Sequence, residues 1–110
     1  MNEKIRTTRA WGSWEVLHKG AGYKVKKLYI HPGESISTQS HNHRSEHWTI
    51  VQGNGKIRIG AKIYDVKSGD SVIIPIKEIH KITNTDKKEE LVIIEVQLGE
   101  KTEEEDIIRY

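Results

Sequence analysis

Cysteine and phenylalanine are absent from this 110-residue chain, and proline occurs only twice. Without cysteine the chain forms no disulfide bond, offers no thiolate to a metal ion and has no cysteine nucleophile. No apolar run is long enough to span a bilayer, and residues 1–6 lack the apolar stretch of a signal peptide. We therefore expect a cytoplasmic protein that does not bind membranes. Any metal ligands must be histidine, glutamine or carboxylate side chains.

The chain also has no large net charge of either sign. Lysine and arginine number 18 and aspartate and glutamate number 16, and no basic patch interleaved with aromatic residues occurs. This pattern gives no support to nucleic-acid binding. The length corresponds to one domain, and we expect an extended N-terminal arm at residues 1–10 followed by a single domain at residues 11–110.

Short segments with alternating apolar residues, separated by turn residues, fill most of the chain. Tyr23–Ile30 has this pattern, and Gln52-Gly-Asn-Gly55 is a hairpin signal between two further segments. About nine short strands and no long helical period predict an all-β sandwich or barrel. We expect the acidic tail, residues 100–110, to end in a short helical turn.

Three of the six histidines lie within seven residues, at positions 41, 43 and 47. On a continuous strand, side chains alternate between two faces. One face then carries the ligand-type side chains Gln39, His41, His43 and His47. The other face carries Arg44, Glu46 and Trp48. A row of imidazoles makes a poor apolar core and a good metal site.

We predict that these histidines, together with His80 from a distant segment, bind one divalent metal ion. Zinc suits such ligands best, while Mn, Fe, Co and Ni remain open, and Gln39 is a fifth candidate ligand. Strict alternation gives Glu46 a structural or orienting role, whereas a bulge near residues 44–46 would turn it towards the metal as ligand or base. The planar guanidinium of Arg44 suits either a phosphate or a carboxylate.

Two groups of residues resemble the motifs of the cupin superfamily, whose fold is a double-stranded β-helix, a small jelly-roll barrel. The first motif corresponds to Gly33, His41, His43, His47 and Gly53. The second motif corresponds to Gly69, Pro75, His80 and Asn84, with Lys77 where the family has a glycine. The resemblance implies a cupin-type barrel with the metal site inside it.

A narrower resemblance covers residues 9–109. The segments Trp11-Gly-Ser-Trp-Glu15, Gln39-x-His-x-His-Arg-x-Glu-His-Trp48, Glu95-Val-Gln97 and 104–109 are similar to the C-terminal cupin domain of type II mannose-6-phosphate isomerases. In many members that domain follows a mannose-1-phosphate guanylyltransferase domain, which this chain has no room for. We therefore expect no guanylyltransferase activity from this chain alone.

The resemblance implies a metal-dependent isomerase that interconverts mannose 6-phosphate and fructose 6-phosphate through an enediolate. Glu46 and Arg44 are then the catalytic candidates, and Arg44 and Arg109 the candidates for binding the substrate phosphate. A surface ion pair with Glu104 or Asp106 is the alternative role of Arg109.

Two other functions fit the same residues. The first is a non-catalytic cupin that binds a sugar or sugar nucleotide and acts with a separately encoded nucleotidyltransferase. The second is an iron-dependent dioxygenase, because histidine-rich sites also suit Fe(II). Whatever the function, small jelly rolls expose edge strands, and we expect a homodimer that covers them.

Overall fold

The computed structural model describes residues 6–110, which form two antiparallel sheets and contain no helix. The strands are β1 (Arg6–Arg9), β2 (Gly12–Gly20), β3 (Tyr23–Ile30), β4 (Gln39–Ser40), β5 (Arg44–Gln52), β6 (Asn54–Ile59), β7 (Lys62–Lys67), β8 (Ser71–Ile74), β9 (His80–Asn84), β10 (Leu91–Gly99) and β11 (Ile108–Arg109). No stretch of residues 6–110 is a helix that could cross a membrane.

The order of strands is β1-β2-β3-β10-β5-β8 in the first sheet and β11-β4-β9-β6-β7 in the second. Strands that follow each other in sequence often lie in different sheets, so the chain winds back and forth between them. This arrangement is the jelly-roll form of an all-β fold, and the fold class predicted from the sequence is confirmed.

The core lies between the two sheets because each strand turns every second side chain inward. In β3 the buried positions alternate strictly along the strand, and its inner face ends in Leu28 and Ile30. Trp48 from β5 and Ile82 from β9 pack in the same cluster, as do further isoleucines of both sheets. Branched aliphatic side chains fill such a pleated interior well.

The two ends of the described chain are both strands at sheet edges. Residues 1–5, the first half of the predicted N-terminal arm, lie outside the described residues, and the second half forms β1, which pairs with β2 from Arg6↔Glu15 to Arg9↔Gly12. The predicted helical turn in the tail is wrong. The backbone turns at residues 104–105 and continues as β11, which pairs with β4.

Lys77 occupies the turn between β8 and β9 with a φ of 69°, in the left-handed region that favours glycine. Its N–H donates a hydrogen bond of 2.7 Å to the carbonyl of His41. The turn therefore keeps its conformation although a lysine replaces the glycine of the cupin pattern, and it ties the β8–β9 connection to the end of β4.

Candidate metal centre

The chain leaves regular strand geometry at residues 41–43, and this break decides which side chains face inward. β4 belongs to the second sheet and β5 to the first, so no single strand runs through residues 39–47. On β5 the side chains of Arg44, Glu46, Trp48 and Ile50 are buried, whereas that of His47 is exposed. The predicted alternation is therefore wrong beyond residue 41, because the chain crosses between sheets where the prediction assumed one strand.

Three buried side chains from three segments converge inside the barrel. Glu46 of β5, His80 of β9 and His41, just after β4, place their ligand atoms within 4.8 Å of one another. His41 Nε2 lies 3.4 Å from Glu46 Oε2, and His80 Nε2 lies 3.8 Å from Glu46 Oε1. Two atoms bound to one zinc ion at about 2.1 Å lie no more than about 4.2 Å apart, so both separations suit a shared ion.

Backbone carbonyl groups orient both histidine rings. His41 Nδ1 donates to the carbonyl of Asp106 at 2.6 Å, and His80 Nδ1 donates to that of Glu78 at 3.0 Å. Each ring therefore turns its Nε2 towards Glu46, as metal-bound histidines do when their other nitrogen is held. Burial, with the Arg44 charge, lowers the pKa of His41 to about 4, and burial lowers the pKa of His80. Both rings are consequently neutral near pH 7, which metal binding requires.

The environment of His80 Nε2 gives the strongest structural support for a metal ion. This atom is buried and has no hydrogen-bond partner. A buried polar atom without a partner costs free energy, on the order of 1–3 kcal/mol. A cation between His80, His41 and Glu46 would remove that cost, and two imidazoles with one carboxylate suit divalent zinc or iron.

Arg44 orients the carboxylate of Glu46. Its Nε donates to Glu46 Oε2 at 2.9 Å, and Trp48 Nε1 donates to Oε1 at 3.1 Å. The remaining nitrogens of Arg44 reach the carbonyl of Glu103 at 3.1 Å and His41 Nε2 at 3.3 Å. Each nitrogen of the buried guanidinium thus has a partner, and of its two predicted roles the geometry supports orienting a carboxylate.

The other predicted ligands take different positions. The side chain of His43 is 44% exposed, and its Nδ1 lies 3.0 Å from Asp106 Oδ1. His47 pairs in register with Val96 and Ile73 on the outer face of the first sheet. The structure leaves both outside the group of His41, Glu46 and His80. Gln39 pairs in register with His80 and lines the same cavity, so it remains beside the group.

A cavity of about 370 Å³ opens onto the cluster. Its apolar wall includes Trp11, Trp14, Leu28, Ile36 and Ile107. The polar side chains that line it beyond the three cluster residues are Arg9, Lys26, Gln39, Arg44, Glu95, Glu104 and Arg109, with Ser37. A cavity with an apolar wall and a few converging polar groups is typical of a small-molecule site.

Lys26 and Glu104 form part of the cavity wall that the sequence did not predict. Lys26 Nζ lies 3.0 Å from Glu104 Oε1 and 3.8 Å from the centre of the Trp14 ring, and Lys24 Nζ lies 3.0 Å from Glu104 Oε2. Burial raises the pKa of Glu104, but the two lysines outweigh this and lower it. The sequence contains one sign of this position. Residues 24 and 26 are spaced at intervals of two from Leu28 on β3, so all three side chains share the inner face of the strand.

Glu95 is a second buried carboxyl group in the cavity, and the sequence prediction gave it no role. It lies on β10 and accepts a hydrogen bond of 2.6 Å from Gln97 Nε2. Burial, followed by repulsion from Glu46, raises its pKa to about 7. The signal in the sequence is that Glu95 and Gln97 share the buried face of a strand with Leu91 and Ile93.

A jelly-roll barrel that holds a histidine–carboxylate cluster in its interior defines the chain as a cupin. The structure is similar to that of an RmlC-like cupin from Shewanella frigidimarina, with a TM-score of 0.78 and 14% identity over 88% of this chain and 85% of that one. It is also similar to a Klebsiella pneumoniae protein with a double-stranded β-helix domain, with a TM-score of 0.76 and 21% identity over 97% and 84% of the two chains. These likenesses concern the fold.

The chain belongs to the family described as mannose-6-phosphate isomerase C-terminal, which matches residues 1–110. It is 37% identical to a mannose-1-phosphate guanylyltransferase of Escherichia coli K12 over 93% of its length, and 37% identical to the alginate biosynthesis protein AlgA of Pseudomonas putida over 96%. It spans only about a fifth of those relatives, 21% and 22% of their lengths.

Proposed function

We propose that this cupin domain is a metal-dependent sugar-phosphate isomerase that interconverts mannose 6-phosphate and fructose 6-phosphate. The observation that carries the proposal is the convergence of His41, Glu46 and His80 in a cavity that also contains the buried carboxyl group of Glu95. An aldose–ketose isomerase needs an electrophile and a proton-transferring group together, and this cavity has residues for both.

His41, Glu46 and His80 are the residues that would hold the metal ion, with Gln39 beside them as a fourth candidate. Zinc suits this set best, while Mn, Fe, Co and Ni remain alternatives. When bound, the ion supplies Lewis-acid polarisation of the substrate oxygens. Arg44 holds the carboxylate of Glu46 in position through a hydrogen bond of 2.9 Å. Glu46 and Arg44 thus serve the reaction by binding and orientation.

Glu95 is the group that moves the proton in this proposal. The reaction takes a proton from C2 of the aldose and returns one to C1, while the hydroxyl proton of C2 passes to the oxygen of C1. A carboxyl group whose pKa lies near the working pH is suited to both transfers, and the pKa of Glu95 is raised to about 7. Gln97 holds this carboxyl group through its amide, so that one oxygen remains for the substrate.

A coupled assay for fructose 6-phosphate formation tests the proposal on the chain alone, with Zn²⁺, Co²⁺ or Mn²⁺ added. We expect turnover by the wild type and by His47→Ala, whose side chain is exposed on the outer face of the sheet. We expect a loss of at least about 100-fold for Glu46→Gln and Glu95→Gln. Absence of turnover with every metal would overturn the isomerase reaction.

A sugar-binding domain that acts with a separate nucleotidyltransferase is the second candidate. This candidate is supported by the relative from Escherichia coli K12, which is named a mannose-1-phosphate guanylyltransferase. This function predicts binding of mannose 6-phosphate or a sugar nucleotide without turnover. Since two histidines and one carboxylate also serve Fe(II) oxygenases, oxygen uptake with Fe²⁺ should be measured alongside.

A cytoplasmic homodimer is the assembly that we propose. Apolar side chains on two edge strands support it, with Ile63 of β7 65% exposed and Ile73 of β8 59% exposed. Exposed apolar residues on sheet edges favour pairing with another chain. Sedimentation equilibrium would show a species of twice the 12.7 kDa chain mass, and a purely monomeric species would contradict the proposal.

A further inference from the structure

Residues 103–107, which we call the strap, lie against the cavity just before β11. Glu104 and Ile107 of the strap line the cavity. The carboxylate of Glu104 forms salt bridges of 3.0 Å with Lys24 and Lys26 of β3. None of the strap residues belongs to a strand. The position of the strap therefore depends on its contacts with the barrel and not on pairing within a sheet.

Asp106 is the strap residue that holds the crossover from β4 to β5. Its side chain is only 6% exposed. Its Oδ1 accepts a hydrogen bond of 3.0 Å from the N–H of Asn42, and its Oδ2 accepts one of 2.9 Å from the N–H of His43. The ring nitrogen Nδ1 of His43 also lies 3.0 Å from Oδ1. One carboxylate thus binds the backbone of two residues at the point where the chain passes between the sheets.

These hydrogen bonds stabilise the conformation in which His41 faces the cavity. The side chain of His41 is buried, whereas that of His43 is exposed. The main-chain carbonyl of the same Asp106 accepts the 2.6 Å hydrogen bond from His41 Nδ1. The carboxylate of Asp106 therefore fixes the backbone that follows His41, and its carbonyl fixes the direction of the His41 ring.

The strap also reaches the carboxylate of the metal-binding group. The carbonyl of Glu103 accepts a hydrogen bond of 3.1 Å from Arg44, whose Nε holds Glu46 Oε2 at 2.9 Å. The same carbonyl accepts a hydrogen bond of 3.2 Å from the N–H of Asp106, so both contacts belong to one turn. Docking of the strap therefore orients two of the three ligand candidates together.

We propose that Asp106 is a positioning residue of the metal centre and that it couples docking of the strap to metal binding. The inference rests on the metal centre of the proposed function and not on the isomerase reaction. Coupling between two binding equilibria is reciprocal. A docked strap therefore raises the affinity for the metal by the same factor by which the metal favours docking. Outer contacts of this kind commonly contribute about 10- to 100-fold to metal affinity.

Two variants and a matched control test the role of the carboxylate. Asp106→Ala removes both acceptor oxygens and keeps the main-chain carbonyl, while Asp106→Asn keeps one acceptor oxygen. The control is Asp86→Ala, because the Asp86 carboxylate also accepts two backbone hydrogen bonds, from Lys88 and Glu89. Asp86 lies in the β9–β10 loop, at the opposite end of β9 from His80. Urea unfolding with EDTA gives the stability of each metal-free variant.

Calorimetric titration with Zn²⁺ gives the metal affinities. We expect Asp106→Ala to bind Zn²⁺ at least about tenfold more weakly than the wild type, and Asp106→Asn to lose less. Asp86→Ala should bind as the wild type does, even where its stability falls as far. The visible absorption of saturating Co²⁺ reports the ligand geometry and should change only in the Asp106 variants. Wild-type affinity in Asp106→Ala, or an equal loss in Asp86→Ala, would overturn the positioning role.

Amide hydrogen exchange measures the reciprocal effect at Asn42 and His43, whose N–H groups donate to the strap. Saturating Zn²⁺ should slow their exchange in the wild type by about the factor by which Asp106→Ala weakens Zn²⁺ binding. In Asp86→Ala the slowing should be the same as in the wild type. Exchange that is equally fast with and without Zn²⁺ in the wild type would overturn the coupling.

The outcomes separate this inference from the proposed function. A wild type that binds no metal overturns both. Zn²⁺ binding that depends on Asp106, without formation of fructose 6-phosphate, supports the positioning role and contradicts the isomerase. Turnover by the wild type, together with an unchanged Zn²⁺ affinity in Asp106→Ala, supports the isomerase and contradicts the positioning role. If Asp106→Ala does not fold, Asp106→Asn is compared with Asp86→Ala in the same titrations and decides.

Discussion

At the scale of single residues, the cluster combines two neutral imidazoles with one fixed carboxylate in an arrangement that could hold a metal ion. Carbonyl groups hold His41 and His80 through Nδ1, and Arg44 and Trp48 hold both oxygens of Glu46. Each of these three side chains is therefore oriented by a second contact in the absence of a metal ion. Such outer contacts commonly change metal affinity by about 10- to 100-fold.

We expect the amount of bound metal to depend on the buried cluster of His41, Glu46 and His80 and not on the total number of histidines. We expect His80→Ala to lose its bound metal, because it removes a ligand whose Nε2 has no other partner. His47→Ala is the matched control from the same predicted set, with an exposed side chain, and should keep the wild-type metal content. Metal analysis after dialysis measures both, and equal metal loss in the two variants would contradict the assignment.

The raised pKa of Glu95 predicts a pH-dependent stability in the metal-free protein. Between pH 4.5 and 7 the folded carboxyl group keeps its proton while the unfolded one loses it, so this residue makes folding less favourable as pH rises. Glu95→Gln removes the effect. The free energy of unfolding of Glu95→Gln, relative to that of the wild type, should therefore rise by about 3 kcal/mol between pH 4.5 and pH 7. Urea unfolding in the presence of a chelator at both pH values measures the difference, and a constant difference would contradict it.

The residue types of the site were predictable, but not their orientation. The structure brings the predicted ligands His41 and His80 together, and the sequence had offered Glu46 as a ligand only if a bulge intervened. His43 and His47 were placed on the wrong face because periodicity applies within one strand, and the sequence does not show that residues 41–43 cross between sheets. Glu95 was missed because a lone carboxylate in a strand usually faces solvent.

At the scale of elements, the strands were largely predictable because their apolar residues alternate and glycine-containing turns separate them. Tyr23–Ile30 has the predicted bounds, and the predicted hairpin at residues 52–55 joins β5 to β6. The two-residue strand β11 was not predicted, and β4 was predicted only as part of one longer strand, since segments so short carry no periodic signal. Their pairing depends on contacts between residues 39–40 and 108–109, which lie far apart in sequence.

The turn at Lys77 predicts a stabilising substitution. A side chain in the left-handed region costs about 1–2 kcal/mol, and the greater freedom of glycine in the unfolded chain offsets part of this. Lys77→Gly should therefore raise the free energy of unfolding by about 0.5–1 kcal/mol. Lys101→Gly, at an exposed lysine without a positive φ, should instead lower it. Urea unfolding of the two variants measures the contrast, and equal effects would refute the argument.

At the scale of the whole molecule, a bound metal would connect the two sheets. Glu46 belongs to the first sheet, while His80 belongs to the second and His41 directly follows a strand of it. An ion held by all three binds only the folded state. At a free concentration of about 100 times Kd, it would stabilise that state by about 2.7 kcal/mol.

Removal of the metal should therefore lower the melting temperature of the wild type by about 10 °C. His80→Ala should melt at the same temperature with and without a chelator, whereas His47→Ala should respond as the wild type does. Differential scanning calorimetry with EDTA and with added Zn²⁺ measures the change. An equal response of His80→Ala and the wild type would show that any bound metal lies elsewhere.

The position of β10 has a consequence for synthesis on the ribosome. This strand lies between β3 and β5, although it follows both in the chain by some 40 residues or more. Until residue 99 has left the exit tunnel, β3 and β5 have no common neighbour and the carboxyl group of Glu95 has no cavity to enter. The cavity of a nascent chain is therefore completed only after residue 99 has emerged, and chaperones that shield bare strand edges are most useful before that moment.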